Sequence, residues 1–346
     1  MVTGWRSCSG EHLTRGVTTL AAVRTRARFP DVDPAAGHYE SFYLKASAPG
    51  GGEAVWIRHT VHQRPGAAPT ASVWFVHFGA GQPRAAKVTV GADALSVPPG
   101  EYVDVGGCRI GQGWMTGKVA ARGLDARWDL ALTDRAPGLR HLPAGWMYDR
   151  GFPRTKVESP HPSVTVTGEV RLGDTVVALA GWDGIVGHNW GSEHAARWVW
   201  LQAPLADGGY LDVAAARVGV GPVTTPWIAN GGLLLGDLRV PLGGPLRMRA
   251  TSLDAATGRC TFALAGPGVR LYGTVVSPAD RMVGWRYADP DGGEHQVSNC
   301  SVADLELIVQ RRDAAPEVLH VPGAAAYELG TREPQPGVPM QPYPDG

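Results

Sequence analysis

No apolar run in the 346 residues approaches the length needed to cross a bilayer as a helix. That absence points to a chain with no transmembrane segment. The N-terminus lacks a persuasive export signal, since the apolar stretch 13–23 is weak and interrupted by Arg15. A cytoplasmic location is therefore expected. Cysteine is sparse: Cys8, Cys108, Cys260 and Cys300 lie far apart, with neither a C-x-x-C pair nor zinc-type spacing. Reduced thiols are the expected state, and a Cys260–Cys300 disulfide is the alternative. Charge is low and balanced, with 32 Lys+Arg against 32 Asp+Glu. Nothing in that balance favours nucleic acid or an anionic surface as a partner. Nucleotide-type glycine loops in strand–helix context, G-x-S-x-G and H-E-x-x-H are all missing, so no cofactor and no metal are expected.

What is abundant is glycine (47), proline (28) and tryptophan (12). Many turns and large flat apolar side chains suit short strands rather than long helices. Alternating segments recur about every ten residues, which is the spacing of a sandwich or barrel. In the first half they are expected at 38–45, 53–63, 71–78, 87–97, 102–105, 109–110, 115–121, 124–134, 163–172 and 175–182. The Pro/Gly-rich stretch 135–162 reads as a long excursion, a lid or barrel end. The second half predicts strands at 197–203, 209–218, 233–235, 238–240, 246–254, 261–265, 269–276, 282–288 and 294–309. The length suits two domains. The expected divisions are a flexible lead-in at 1–30, a barrel at 31–195, a second at 196–329 and a disordered Pro-rich tail at 330–346.

The densest stretch is Gly181-Trp182-Asp183-Gly184-Ile185-Val186-Gly187-His188-Asn189-Trp190-Gly191, followed by Trp198-Val199-Trp200-Leu201-Gln202. Its glycines are expected to bend the chain around an inward-facing polar site. Together with Tyr39-Glu40-Ser41-Phe42-Tyr43, it resembles the lipocalin-like superfamily of carotenoid 1,2-hydratase (hydroxyneurosporene synthase), tocopherol cyclase-like proteins and lipocalin-like Diels–Alderases. Those proteins carry D-H-N-W-G before a W-x-W-like strand, and an E-x-W-Y opening where this chain has Phe42 for Trp. The resemblance implies an all-β fold of two tandem lipocalin-like antiparallel β-barrels, with a pocket for a long apolar molecule. It also implies hydration, cyclisation or isomerisation of a polyene, terpenoid or polyketide-like substrate. One departure is plain. The aspartate before His-Asn-Trp-Gly, the hydratase's expected proton donor, is Gly187 here, and Asp183 is the nearest substitute.

The residues expected to handle protons are Glu40, Asp183 and His188. Glu40 sits in an apolar aromatic strand where desolvation would raise its pKa; a salt bridge to Arg58 or another arginine is the structural alternative. His188 and Asn189 either line the pocket or brace buried backbone at a turn, with Trp190 closing a barrel end. Trp198, Trp200 and Gln202 share a strand face that lines the cavity or packs between domains. Trp56, Arg58 and His59 complete the expected pocket. His59 and His62 face opposite sides of their strand, which argues against a metal pair; His59 and His77 are placed to meet across two strands. The alternative to an enzyme is a non-catalytic carrier of a lipid or isoprenoid. The oligomeric state is open.

Overall fold

The computed structural model describes residues 25–221 and 223–344. Most of the lead-in, with Cys8, lies outside them. The described chain is almost entirely β, in two large antiparallel sheets joined by residues 192–196. The first sheet contains β1 (His38–Ser47), β2 (Ala54–Gln63), β3 (Thr70–Phe78), β4 (Arg84–Val90), β5 (Leu95–Ser96), β6 (Glu101–Val105) and β7 (Cys108–Gly111). It continues with β8 (Trp114–Ala121), β9 (Leu124–Asp134), β10 (Leu139–Arg140), β11 (Thr155–Leu172) and β12 (Thr175–Gly191). After it come β13 (Arg197–Pro204), β14 (Tyr210–Arg217), the small ribbon β15 (Gly219–Val220) and β16 (Val223–Thr224), β17 (Ile228–Leu235) and β18 (Leu238–Gly243). Then follow β19 (Ser252–Ala256), β20 (Arg259–Gly266), β21 (Val269–Val276), β22 (Val283–Ala288), β23 (Glu294–Arg311) and β24 (Glu317–Thr331).

The two sheets wind alike. The first runs β4-β3-β2-β1-β12-β11-β9-β8 and the second β18-β17-β14-β13-β24-β23-β21-β20. Each curls back until β4 touches β8, or β18 touches β20. This is the expected all-β architecture of two tandem barrels. Among the described residues the single α-helix, α1 (Trp146–Asp149), has four residues, and no helix there is long and apolar enough to cross a membrane. Cys108, Cys260 and Cys300 are free and buried.

Burial patterns explain where sequence periodicity works. β9 alternates buried and exposed side chains along nearly its whole length, because one face meets the core and the other water. β1 and β2 are buried at every position. Their inner faces (Phe42, Leu44, Val55, Ile57) join the first barrel's core. On the outer face Trp56, joined by Trp74 from β3, packs with the second barrel's core. Sandwiched strands carry no polar face, and polar side chains on them are buried by construction.

Three expectations are corrected. The glycine-rich stretch is not a corner: β12 runs straight through it, paired to β1 from Ser47↔Asp183 to Tyr39↔Gly191. Only Gly181 there has a positive φ, +75°, where a register shift bulges it out of the β11 pairing. Gly184, Gly187 and Gly191 instead make room for Val166, the Tyr43 ring and the main chain of Arg154. Second, β11 begins at Thr155, not at 163. Pro160 and Pro162 cannot donate to the ladder, and the register shifts around them. Third, the tail is ordered through the described residues, which end at Pro344. β24 includes Gly330, Gln335 and Val338 are buried, and the main chain of Gly284 bonds Pro339 and Gln341. β24 itself was missed, because Pro322-Gly323 reads as a turn; it is a bulge beside Ala303/Leu305.

Candidate functional site

The site lies inside the first barrel, where one rung crosses four strands: His59 on β2, Phe42 on β1, His188 on β12 and Glu158 on β11. Glu40 stands two residues from Phe42, on the same face. His188 Nε2 donates to Glu40 Oε1 at 2.7 Å, and Nδ1 donates to Glu158 Oε1 at 3.2 Å. All three side chains are essentially sealed from solvent, at 0%, 1% and 0% exposure for His188, Glu40 and Glu158. An imidazole with a carboxylate on each nitrogen keeps both protons.

The electrostatics follow from that geometry. Burial opposes charge on His188, but its hydrogen bonds to Glu158 and Glu40 outweigh it and raise its pKa above 6.5. Burial also opposes charge on Glu40; the His188 and His38 contacts outweigh it and hold the carboxyl at about 2. The same balance, again led by burial and reversed by His188, lowers Glu158. Glu40 is further fixed by the main-chain amides of Arg28 (2.9 Å to Oε1) and Phe29 (2.8 Å to Oε2), while Thr25 Oγ1 donates to Glu158 Oε1 at 2.6 Å. The segment 25–31 thus lies across the carboxylates. Glu158 Oε2 is buried with no hydrogen-bond partner among the described residues.

Aromatic rings clamp the imidazole. Phe42 stacks on one side of His188 at 4.0 Å, and Trp190 contacts the ring at 4.4 Å. The Arg28 guanidinium lies 4.8 Å over Trp190. Beyond Phe42 the stack continues to Tyr102 at 5.4 Å. Tyr102 and His161 Nε2 are 2.9 Å apart, and His161 Nδ1 lies 2.6 Å from Asp134 Oδ1. Burial raises the Tyr102 hydroxyl. His59 caps the far end of the rung, its pKa pushed by burial to about 4 against the opposing pull of the Cys108 main chain, with neither ring nitrogen in a side-chain hydrogen bond.

The other expected site residues lie elsewhere. Asp183 is on the opposite face of β12 and pairs with Arg135 at 2.5 Å, part-exposed and out of reach of Glu40. Arg58 also lies on the outer side, 4.1 Å over Tyr287, so the expected Glu40–Arg58 bridge does not form. Trp56 meets Trp285. Trp198, Trp200 and Gln202 take the packing role: their face of β13 looks toward the first barrel. Trp200 meets Tyr43 at 5.1 Å and donates to Asp212 Oδ1 at 3.1 Å. Trp198 donates to Glu328 Oε1 at 2.9 Å. Asn189 accepts from Ser41 Oγ at 3.1 Å, bracing β12 to β1. His77 bonds Glu53 and lies opposite Val55, four residues from His59, so that pair does not meet.

Gly187 has a steric cause. A Cβ there would stand 2.1 Å from Cζ of Tyr43, its partner in the β1 pairing. The aspartate of the hydratase pattern has no room and would point between the barrels, away from His188. Two surface depressions of about 440 Å³ each open on the second barrel, and none of the expected site residues lines them.

Sequence reading missed Glu158, His161, Asp134, Tyr102 and the Arg28–Phe29 amides. Glu158 and His161 fell in the stretch taken for an excursion; their partners come from 27 to 133 residues away, and no local spacing announces them.

No family model matches the chain. Two curated relatives, uncharacterised proteins from two strains of Mycobacterium tuberculosis, are 26% identical over 285 residues, which is 81% of this chain and 84% of theirs. Among solved structures, a Nitrosomonas europaea protein provisionally assigned as AttH matches with a TM-score of 0.54 at 15% identity, over 90% of this chain and 99% of that one. Kievitone hydratase from Nectria haematococca matches at 0.48 and 11%, over 86% and 89%. The likeness to the Nitrosomonas protein is one of fold.

Proposed function

We propose that the first barrel is an acid–base site for an apolar small molecule bearing oxygen, with His188 as the proton-carrying group. One observation carries this reading: a buried imidazole whose two nitrogens each face a buried carboxylate, at 2.7 and 3.2 Å. The two carboxylates keep the imidazole doubly protonated, and a buried imidazolium beside a carboxylate oxygen with no partner is a proton donor held ready for a guest.

The raised pKa of His188 narrows the chemistry. A mild acid suits a carbonyl, an enol or a departing hydroxyl. An isolated carbon–carbon double bond needs a far stronger one, and Gly187 removes the carboxyl that the hydratase pattern would supply. Isomerisation or cyclisation of an oxygenated terpenoid or polyketide-like molecule is therefore favoured over hydration of a bare polyene. The free lone pair of Glu158 Oε2 is the place for a substrate hydroxyl to donate. Glu40, fixed by two amides, holds the imidazolium in place. Admission of a guest requires the segment 25–31 to lift from the carboxylates. Phe42 and Trp190 cover the faces of the ring, so its proton leaves and returns only through the nitrogens that face Glu40 and Glu158.

A second reading, a non-catalytic carrier, is favoured by the donors converging on Glu40, which fit a permanent brace. The deciding experiment identifies small molecules that co-purify from the native host, then incubates them with the protein in D2O. The enzyme reading expects deuterium in a carbon–hydrogen bond with the wild type and its loss with His188→Gln, which still binds. Recovery of the bound compound without deuterium from the wild type would establish the carrier instead.

A further inference from the structure

At the junction of the barrels, three donors from distant positions converge. His194 lies in the connection between β12 and β13, Asp289 follows β22, and His295 is the second residue of β23. Each offers one ligand atom, and the three atoms lie within 4.8 Å of one another; among the described residues this is the one such group. His194 Nδ1 is 2.7 Å from Asp289 Oδ1. Asp289 Oδ2 and His295 Nδ1 face each other across 3.6 Å, and both are buried without a hydrogen bond. That gap is too long for a hydrogen bond. It is close to the ~3.4 Å that separates two ligands on a tetrahedral ion with bonds of about 2.1 Å.

We propose that His194, Asp289 and His295 form a binding site for a divalent transition metal of the zinc class. Two imidazoles and one carboxylate suit zinc, cobalt, nickel or ferrous ions rather than calcium or magnesium. The imidazole of His194 is already held, stacked on Tyr39 of the first barrel at 3.9 Å and on Trp198 of the second at 5.4 Å. A bound ion therefore ties the connection to the second barrel and rests against the first. Arg332 occupies the cation's place: its guanidinium is 3.5 Å from Asp289 Oδ2, and Nε donates to His295 Nε2 at 3.3 Å. Its side chain is 55% exposed, so it can swing into water when a metal arrives.

The test uses the full chain stripped with chelator and titrated with Zn2+ alone by calorimetry. Uptake of one ion per chain is expected, accompanied by a higher melting temperature. His295→Gln and Asp289→Asn are expected to weaken binding at least tenfold, whereas Arg332→Gln, which removes a competing charge at an exposed side chain, is expected to tighten it by roughly tenfold. Quenching by Co2+ is expected to reach Trp198 and to diminish in Trp198→Phe. The Arg332→Gln arm does not depend on a disruptive core substitution. If neither the wild type nor Arg332→Gln takes up zinc, or if uptake is the same in His295→Gln and Asp289→Asn, the site is an ordinary hydrogen-bonded cluster and the proposal fails.

Discussion

His188 Nε2 lies 2.7 Å from Glu40 Oε1, although the two residues are 148 positions apart in the chain. The pairing of β1 with β12 makes this contact, and it shapes the protein's response to pH. Glu40 is depressed from 4.5 to about 2, so its contribution is present above 4.5 and lost as pH falls through about 2. His188 is raised above 6.5, so its contribution is full below 6.5 and lost as pH rises through the higher folded value. The pair therefore stabilises most between pH 4.5 and 6.5. In urea melts across pH, the wild type should exceed His188→Gln by about 3–5 kcal/mol in that window. The difference should shrink on either side. A constant difference at all pH values would mean that His188 carries no proton between the carboxylates.

Glu40 also anchors the segment above it. Glu40→Gln removes a charged acceptor from the amides of Arg28 and Phe29, bonds worth about 1.5–3 kcal/mol each when ionic. Amide exchange at those two positions should quicken by roughly 10- to 100-fold, while the amides of β9 keep their protection. Unchanged exchange at Arg28 and Phe29 would leave the segment held by something other than Glu40.

Gly187 and Tyr43 form a steric pair. Gly187→Ala places a methyl against a ring that Trp200 keeps from retreating, and overpacking of this kind costs about 1–3 kcal/mol. Tyr43→Ala opens the space, so the double variant should lose less than the sum of the singles. A double-mutant cycle on thermal or urea melts measures the coupling; strict additivity would refute the contact.

His59 behaves oppositely to His188. Burial drives its pKa from 6.5 down to about 4, so it withdraws stability as pH falls between those values. His59→Leu should flatten that acid slope and raise stability by about 1–3 kcal/mol near pH 5, because a polar group without a side-chain partner is replaced by an apolar one among Val55 and Ile57. A loss of stability at every pH would show that the imidazole has a structural partner of its own.

Where one face of a strand meets water, sequence alternation located it, as at Leu124–Asp134. The reading failed where both faces are covered or where proline and glycine sit inside the ladder. Pro160 and Pro162 made Thr155–Leu172 look half loop, and Pro322-Gly323 hid Glu317–Thr331. In both strands the irregularity is a bulge tolerated by a long antiparallel partner. Glu40, His188 and Trp190 were legible as buried polar and aromatic groups on apolar strands. Asp183 was misplaced because it stands five residues from His188, an odd separation that puts the two on opposite faces once β12 runs unbroken between them.

The amino-acid sequence on its own determined the all-β character, the turn-rich spacing and the concentration of polar groups around His188. These follow from local periodicity and side-chain chemistry, which act over a few residues. Only the folded chain decided that Glu158 completes the pair around His188, that Trp198 and Trp200 face the gap between barrels, and that Arg58 turns away from Glu40. Strand register sets those outcomes, and register depends on which distant strand becomes the neighbour.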